Sequence, residues 1–236
     1  MKKPIKETLL WMFFTKHCLY CNKVVDRKSD VCEDCRENLP IIKDEKCKYC
    51  GVEKIRCDCK NHRKGYDGIS APFYYEKNIR ESIRLLKFNG KDFIANQLSD
   101  DMAESVKSDF KDIVFDMICF VPFSKGNKLT RKYNPSELLA KQLSKKLEIP
   151  LNPTLVKLYE NENQRNLNMM ERIGNVFGVF DVVEDADIKD KTILLVDDVK
   201  TTGATLSNCA WILKIRGAKN VYCATVAITP PKKDKK

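Results

Sequence analysis

The chain has 236 residues, 43% of them hydrophobic, and its 43 Lys and Arg against 33 Asp and Glu give a formal net charge of +10. This length exceeds one small domain and accommodates a buried α/β core with a small appended module, while no apolar run approaches the roughly 18 residues of a membrane helix. The apolar stretch near the start leads into Lys16 and His17 without a small-residue cleavage site, so a cytoplasmic protein is expected. The positive balance attracts polyanions without specifying which, and Lys232, Lys233, Lys235 and Lys236 read as a solvated end.

Eight of the 11 cysteines fall between Cys18 and Cys59, in four pairs. A Cys-x-x-Cys turn places two thiolates on one side of a tight knuckle, and two such knuckles complete an S4 set around Zn2+. Sequential pairing assigns Cys18, Cys21, Cys32 and Cys35 to one ion and Cys47, Cys50, Cys57 and Cys59 to a second. Interleaved pairing stays open, as does His62 in place of Cys57 or Cys59. An iron–sulfur cluster is the weaker alternative, and disulfides fit a cytoplasmic chain less well still. The expected role is structural. About forty largely polar residues bury too little to offset their ordering entropy, so metal supplies the missing folding energy, and a closed S4 site leaves no position for substrate. Lys46, Lys48, Lys54, Arg56 and neighbouring cations make the segment basic, suited to nucleic acid or simply to solubility.

A boundary is expected near residue 64, where Gly65, Gly68 and Pro72 interrupt the pattern, giving a zinc-ribbon module over 1–64 and a main domain over 65–236. The spacing then predicts a strand over Ala71 to Tyr75, a helix from Asn78 to Lys87 with the stripe Ile79, Ile83 and Leu86, and a second helix over roughly Phe93 to Val106. Phe115 to Val121 reads as a buried strand, Pro135 to Leu147 as a helix and Leu155 to Leu158 as a short strand. A polar connection follows from Tyr159. Thr192 to Val196 is a strand, Thr205 to Arg216 a helix stopped by Gly217, and Asn220 to Ile228 a closing strand. Alternating strands and helices imply an α/β fold with a mainly parallel sheet, helices on both faces and ligands at the carboxyl ends of the strands.

The stretch Ile193-Leu194-Leu195-Val196-Asp197-Asp198-Val199-Lys200-Thr201-Thr202-Gly203-Ala204-Thr205-Leu206 concentrates the chemistry. Four consecutive apolar residues suit a strand buried on both faces. Two acids where that strand leaves the sheet are poorly placed unless a ligand meets them. Thr201, Thr202, Gly203, Ala204 and Thr205 then supply hydroxyls, backbone N–H groups and a helix start, which together favour a phosphate. Asp197 and Asp198 suit a ribose diol or Mg2+, and would favour positive charge at a ribose losing its leaving group. The terminal Gly-Lys-Ser/Thr of a P-loop is missing.

Apolar strand, Asp-Asp, Val-x-Thr-Thr-Gly-Ala-Thr-Leu is similar to the signature of type I phosphoribosyltransferases, and the preceding cysteines narrow the resemblance to the ComF family of competence proteins. That resemblance implies binding of 5-phosphoribosyl 1-pyrophosphate with Mg2+, with Asp197 and Asp198 as catalytic residues. Val121-Pro122-Phe123-Ser124-Lys125 resembles the family's loop near the pyrophosphate, making Lys125 a candidate contact. Arg131-Lys132-Tyr133-Asn134 resembles Arg-Gly-Phe-Asn-Gln, with Arg131 and Lys132 as further candidates and Lys132 and Pro135 as departures. Arg172 and Asn175 keep the pattern Arg-x-x-Asn as supporting residues. Family membership further implies handling of single-stranded DNA during natural transformation, at the inner face of the membrane and beside DNA-uptake proteins. Pyrophosphate-releasing transfer to an unknown acceptor, a non-catalytic phosphoribosyl site in a nucleic-acid-binding accessory protein, and nucleobase salvage are the alternatives.

Overall fold

A computed structural model describes residues 15–26, 28–59, 65–89, 92–123, 133–158 and 179–231. Among the described residues of the cysteine-rich segment are a short α-helix, α1 (Glu33–Asn38), capped by the Cys32 sulfur, which accepts from the Cys35 N–H, and a single 3-10 turn over Lys54–Arg56. After it come β1 (Gly68–Ser70), β2 (Phe73–Tyr74), α2 (Lys77–Asn89), α3 (Asp92–Asp109), β3 (Met117–Phe120) and α4 (Pro135–Leu147). The remaining elements are β4 (Leu155–Lys157), β5 (Phe180–Val182), β6 (Thr192–Lys200), α5 (Ala204–Ile215) and β7 (Asn220–Ile228).

Among the described residues, the main sheet runs β1-β7-β6-β3, with β2 also paired to β7, and every pairing in it is parallel. A parallel sheet needs cover on both faces, and the alternation along β6 provides for it. Leu194 and Val196 pack in one cluster with Ile83 and Leu86 of α2, Leu98 of α3 and Leu139 of α4. Ile193 and Leu195 pack in the other with Leu206, Cys209 and Leu213 of α5 and Cys223 of β7. Cys209 and Cys223 are thus small core residues, as their apolar neighbours suggest, whereas Trp211 lies on the exposed flank of α5.

Three differences from the sequence expectations have physical causes. Of the strand expected over Ala71 to Tyr75 only Phe73–Tyr74 forms, and an unexpected strand, β1, precedes it with Gly68 inside, where an added Cβ would lie 3.0 Å from the Tyr222 ring and 3.1 Å from that of Phe110. Close packing against β7 requires the glycine there, so it does not act as a break. β4 lies outside the main sheet, paired antiparallel to β5. The strand expected to end at Val196 continues to Lys200, because β7 pairs along its whole length, from Thr192↔Asn220 to Lys200↔Ile228.

The cysteine-rich segment docks directly on this sheet and its helices. Pro40 accepts from the Tyr74 N–H, Pro72 accepts from the Ile42 N–H, and Lys48 accepts from the Ile69 N–H, at 2.7, 2.9 and 2.9 Å. Tyr20 stacks edge-on to Phe73 and donates to Asp101 of α3 at 3.1 Å. Among the described residues, no helix is long and apolar enough to cross a membrane.

Candidate functional site

The extension of β6 positions the acid pair. On one side β3 stops at Phe120, opposite Val196, while on the other β7 continues beside β6 to Lys200. From Asp197 onward, the β3 side of β6 therefore has no paired strand residue, and the two carboxylates stand at this step in the sheet. Such a step at the carboxyl ends of parallel strands is where ligands bind in open α/β sheets.

Helices from elsewhere complete the surroundings. Ser136, in the first turn of α4, donates through Oγ to Asp197 Oδ1 at 2.8 Å, and the Asp198 N–H donates to the same oxygen at 2.9 Å. Lys87, near the end of α2, places Nζ 2.9 Å from Asp198 Oδ2, with the two side chains 23% and 14% exposed. Burial, reinforced by the Asp198 charge, pushes the Asp197 carboxyl up to about 7 against the opposing contacts of Ser136, the Asp198 N–H and Lys87. Burial thus favours the protonated form of Asp197 more than it does in an ordinary exposed carboxyl.

The turn after β6 opens to solvent. Thr201, Thr202, Ala204 and Thr205 are exposed, whereas Gly203 is buried. Gly203 caps α5 with φ +83, a left-handed conformation that a side chain disfavours. The Ala204 N–H meets Thr202 Oγ1 at 3.3 Å, and the first-turn amides of α5 face the helix end, where a phosphate is favoured by N–H groups and dipole together. Asp197 and Asp198, half-buried at the end of β6, and the exposed Thr201, Thr202, Ala204 and Thr205 thus lie on one strand-to-helix connection, with Lys200 and Gly203 buried between them.

Asn134 caps α4 by accepting from the Ser136 N–H at 3.1 Å, and its Nδ2 donates to the Val121 carbonyl at 3.0 Å. Pro135 occupies the first position of α4, where the missing N–H would have no intrahelical partner anyway. The departure at Pro135 therefore fits the start of the helix that carries Ser136. Tyr133 donates to the Leu86 carbonyl at 2.8 Å, tying this segment to the residue before Lys87. Lys125, Arg131, Lys132, Arg172, Asn175 and His62 lie outside the described residues.

Lys87 and Ser136 were not among the sequence candidates. Lys87 reads locally as a helix-terminal cation, and Ser136 as part of an Asn-Pro-Ser cap; only the packing of α2 and α4 brings them to the acid pair.

The eight clustered cysteines form two sets, Cys18, Cys21, Cys32 and Cys35, then Cys47, Cys50, Cys57 and Cys59, the sulfurs of each lying within 4.8 Å of one another. The pairing is sequential. Tetrahedral Zn–S bonds of about 2.3 Å require sulfurs about 3.8 Å apart. Cys21–Cys32, Cys47–Cys59 and Cys50–Cys57 Sγ separations of 3.6, 3.5 and 3.5 Å are close to that spacing, whereas Cys57 and Cys59, two residues apart, stand closer at 3.0 Å. Four soft donors in each set suit a closed structural zinc site.

Residues 134–236 match the phosphoribosyl transferase domain family, and residues 9–63 match the double zinc ribbon domain family. The chain is a double zinc ribbon joined to a phosphoribosyltransferase domain of type I architecture. In that arrangement it matches the ComF/ComFC competence proteins at moderate identity. It is 26% identical to Competence protein F of Haemophilus influenzae over 220 residues, covering 89% of this chain and 95% of the relative. Competence protein ComFC of Bacillus subtilis is 28% identical over 197 residues, 79% of each chain. ComFC of Streptococcus pneumoniae is 27% identical over 198 residues, 82% of this chain and 85% of the relative.

Proposed function

We propose that this chain binds 5-phosphoribosyl 1-pyrophosphate with Mg2+ and acts in the uptake or processing of single-stranded DNA during natural transformation. The observation that carries the ligand assignment is the continuity of the acid pair at the end of β6 with the exposed threonines and glycine-capped start of α5. Carboxylate acceptors and a phosphate-suited helix start follow one another along the chain, and a ribose 5-phosphate offers hydroxyls to the first and a phosphate to the second.

In this reading the amides and hydroxyls of Thr201 to Thr205 hold the 5-phosphate, and Gly203 lets the main chain approach it. Asp197 and Asp198 accept from the ribose hydroxyls and favour positive charge developing at C1. Carboxylates and the ligand's own oxygens form the hard donor set that Mg2+ prefers. When bound, Mg2+ neutralises pyrophosphate charge and eases its departure. The family resemblance makes Lys125, Arg131 and Lys132 candidate contacts for the pyrophosphate, and Arg172 and Asn175 supporting residues. Transfer would break the bond from C1 to pyrophosphate and form one to an acceptor nucleophile.

The competence relatives and the net charge of +10 favour a role with DNA. A non-catalytic phosphoribosyl site in a DNA-handling accessory protein is the second reading. Calorimetry with 5-phosphoribosyl pyrophosphate, with and without Mg2+, tests the ligand assignment, and failure to bind under both conditions overturns it. A screen for acceptor-dependent pyrophosphate release separates the two readings. Affinity for a labelled single strand should fall steeply with salt; a flat response counts against the DNA role.

A further inference from the structure

The second cysteine set meets the threonine turn from beneath. Lys200, the last residue of β6 and the one before Thr201, is 7% exposed, and its Nζ donates to the Cys50 carbonyl at 3.0 Å. Tyr66, 2% exposed, donates through its hydroxyl to the Tyr49 carbonyl at 3.1 Å. Both acceptors belong to the Cys47-Lys48-Tyr49-Cys50 knuckle. The same two side chains lie under Gly203, where an added Cβ would stand 3.2 Å from Lys200 Cε and 3.4 Å from the Tyr66 hydroxyl. Gly51, directly after the knuckle, packs on Ile228, the β7 partner of Lys200.

A knuckle carbonyl has a fixed direction when the flanking thiolates are held by metal, because a Cys-x-x-Cys turn is too short to fold independently. For a buried lysine amine and a buried phenol, moving an acceptor weakens a hydrogen bond that water cannot readily replace. The metal-bound knuckle thus sets where Lys200 and Tyr66 end, and those side chains set the floor of the turn.

We infer that the Cys47, Cys50, Cys57 and Cys59 metal site supports the phosphoribosyl site, with Lys200 and Tyr66 as positioning residues between them. This inference rests on the ligand assignment proposed above. Linkage makes the effect reciprocal: a ligand that holds Thr201 to Thr205 also holds the second metal. The first set, Cys18, Cys21, Cys32 and Cys35, bonds to α2 and α3 through Tyr20, whose hydroxyl meets Asp101 and whose carbonyl accepts from Ser82. Its metal should be insensitive to the ligand.

The test uses the full zinc-loaded chain. Cysteine alkylation in the presence of a chelator is followed peptide by peptide by mass spectrometry, with and without 5-phosphoribosyl pyrophosphate and Mg2+. Ligand is expected to slow labelling of Cys47, Cys50, Cys57 and Cys59 and to leave Cys18, Cys21, Cys32 and Cys35 unchanged. Lys200→Met and Tyr66→Phe should each retain two zinc ions, bind the ligand about 10-fold more weakly and lose the protection. If the wild type binds ligand but protection is absent or equal at both sets, the coupling is overturned while the ligand assignment stands. Unchanged affinity in both variants likewise overturns it. If the wild type fails to bind, both the assignment and this inference fall. Should Lys200→Met fail to fold, Tyr66→Phe and the wild-type protection pattern still decide.

Discussion

Lys87 Nζ lies 2.9 Å from Asp198 Oδ2, joining the end of α2 to the acid pair of β6. Its charge offsets two adjacent carboxylates that would otherwise repel an anionic ligand. Lys87→Met should weaken binding of 5-phosphoribosyl pyrophosphate about 10-fold or more, as expected for losing a charge-assisted bond, and should make binding more dependent on Mg2+. Calorimetry checks both effects. Equal affinity in the variant would remove Lys87 from the site.

The raised Asp197 carboxyl predicts a pH dependence of stability with a definite sign. Its folded value of about 7 exceeds that of an ordinary carboxylate, so between about 4 and 7 the native chain holds a proton that the unfolded chain has released. Through this group stability falls as pH rises across that window. Asp197→Asn should remove the contribution and stabilise the apoprotein at pH 8. Urea unfolding at several pH values measures it, and an unchanged slope in the variant would contradict the assignment.

Gly203 combines a φ of +83 with Lys200 Cε at 3.2 Å from where a Cβ would stand. Gly203→Ala should cost about 1–2 kcal/mol from the left-handed backbone alone. For a chain of this size that is a fall of roughly 2–8 °C in Tm. The displaced turn should also weaken phosphoribosyl binding. A variant with unchanged melting and affinity would show that the turn tolerates a side chain.

The sulfur sets predict two zinc ions per chain. Cys21→Ser with Cys32→Ser should lower the content to one, because both belong to the first set, whereas Cys209→Ala should keep two, since Cys209 is a core residue of α5. Metal analysis of purified protein decides this. Loss of both ions in the double variant would mean that the sets do not load independently.

The proposed phosphate and ribose residues stand out in the sequence because they are consecutive: apolar strand, acids, threonines and glycine form one motif along the chain. The cysteine sets were readable for the same reason, although spacing alone left their pairing open until the sulfurs were placed. Contacts made across the chain left no such trace. Ser136 and Asp197 are 61 positions apart, and Lys200 and Cys50 are 150 apart, so only packing joins them. The continuation of β6 past Val196 was hidden because Asp-Asp-Val-Lys has weak strand propensity and is held by the register with β7. β5 escaped notice because it is three residues long with only Phe180 buried, too short for a period to appear.

The most direct test of the central claim is calorimetric titration of 5-phosphoribosyl pyrophosphate with Mg2+ into the wild type and into Asp197→Ala combined with Asp198→Ala, with zinc content measured in both. The account predicts binding by the wild type, loss of at least about 100-fold in affinity by the double variant from two missing ribose contacts, and two zinc ions in each. Equal affinity in the two proteins, or no binding by the wild type, would contradict it.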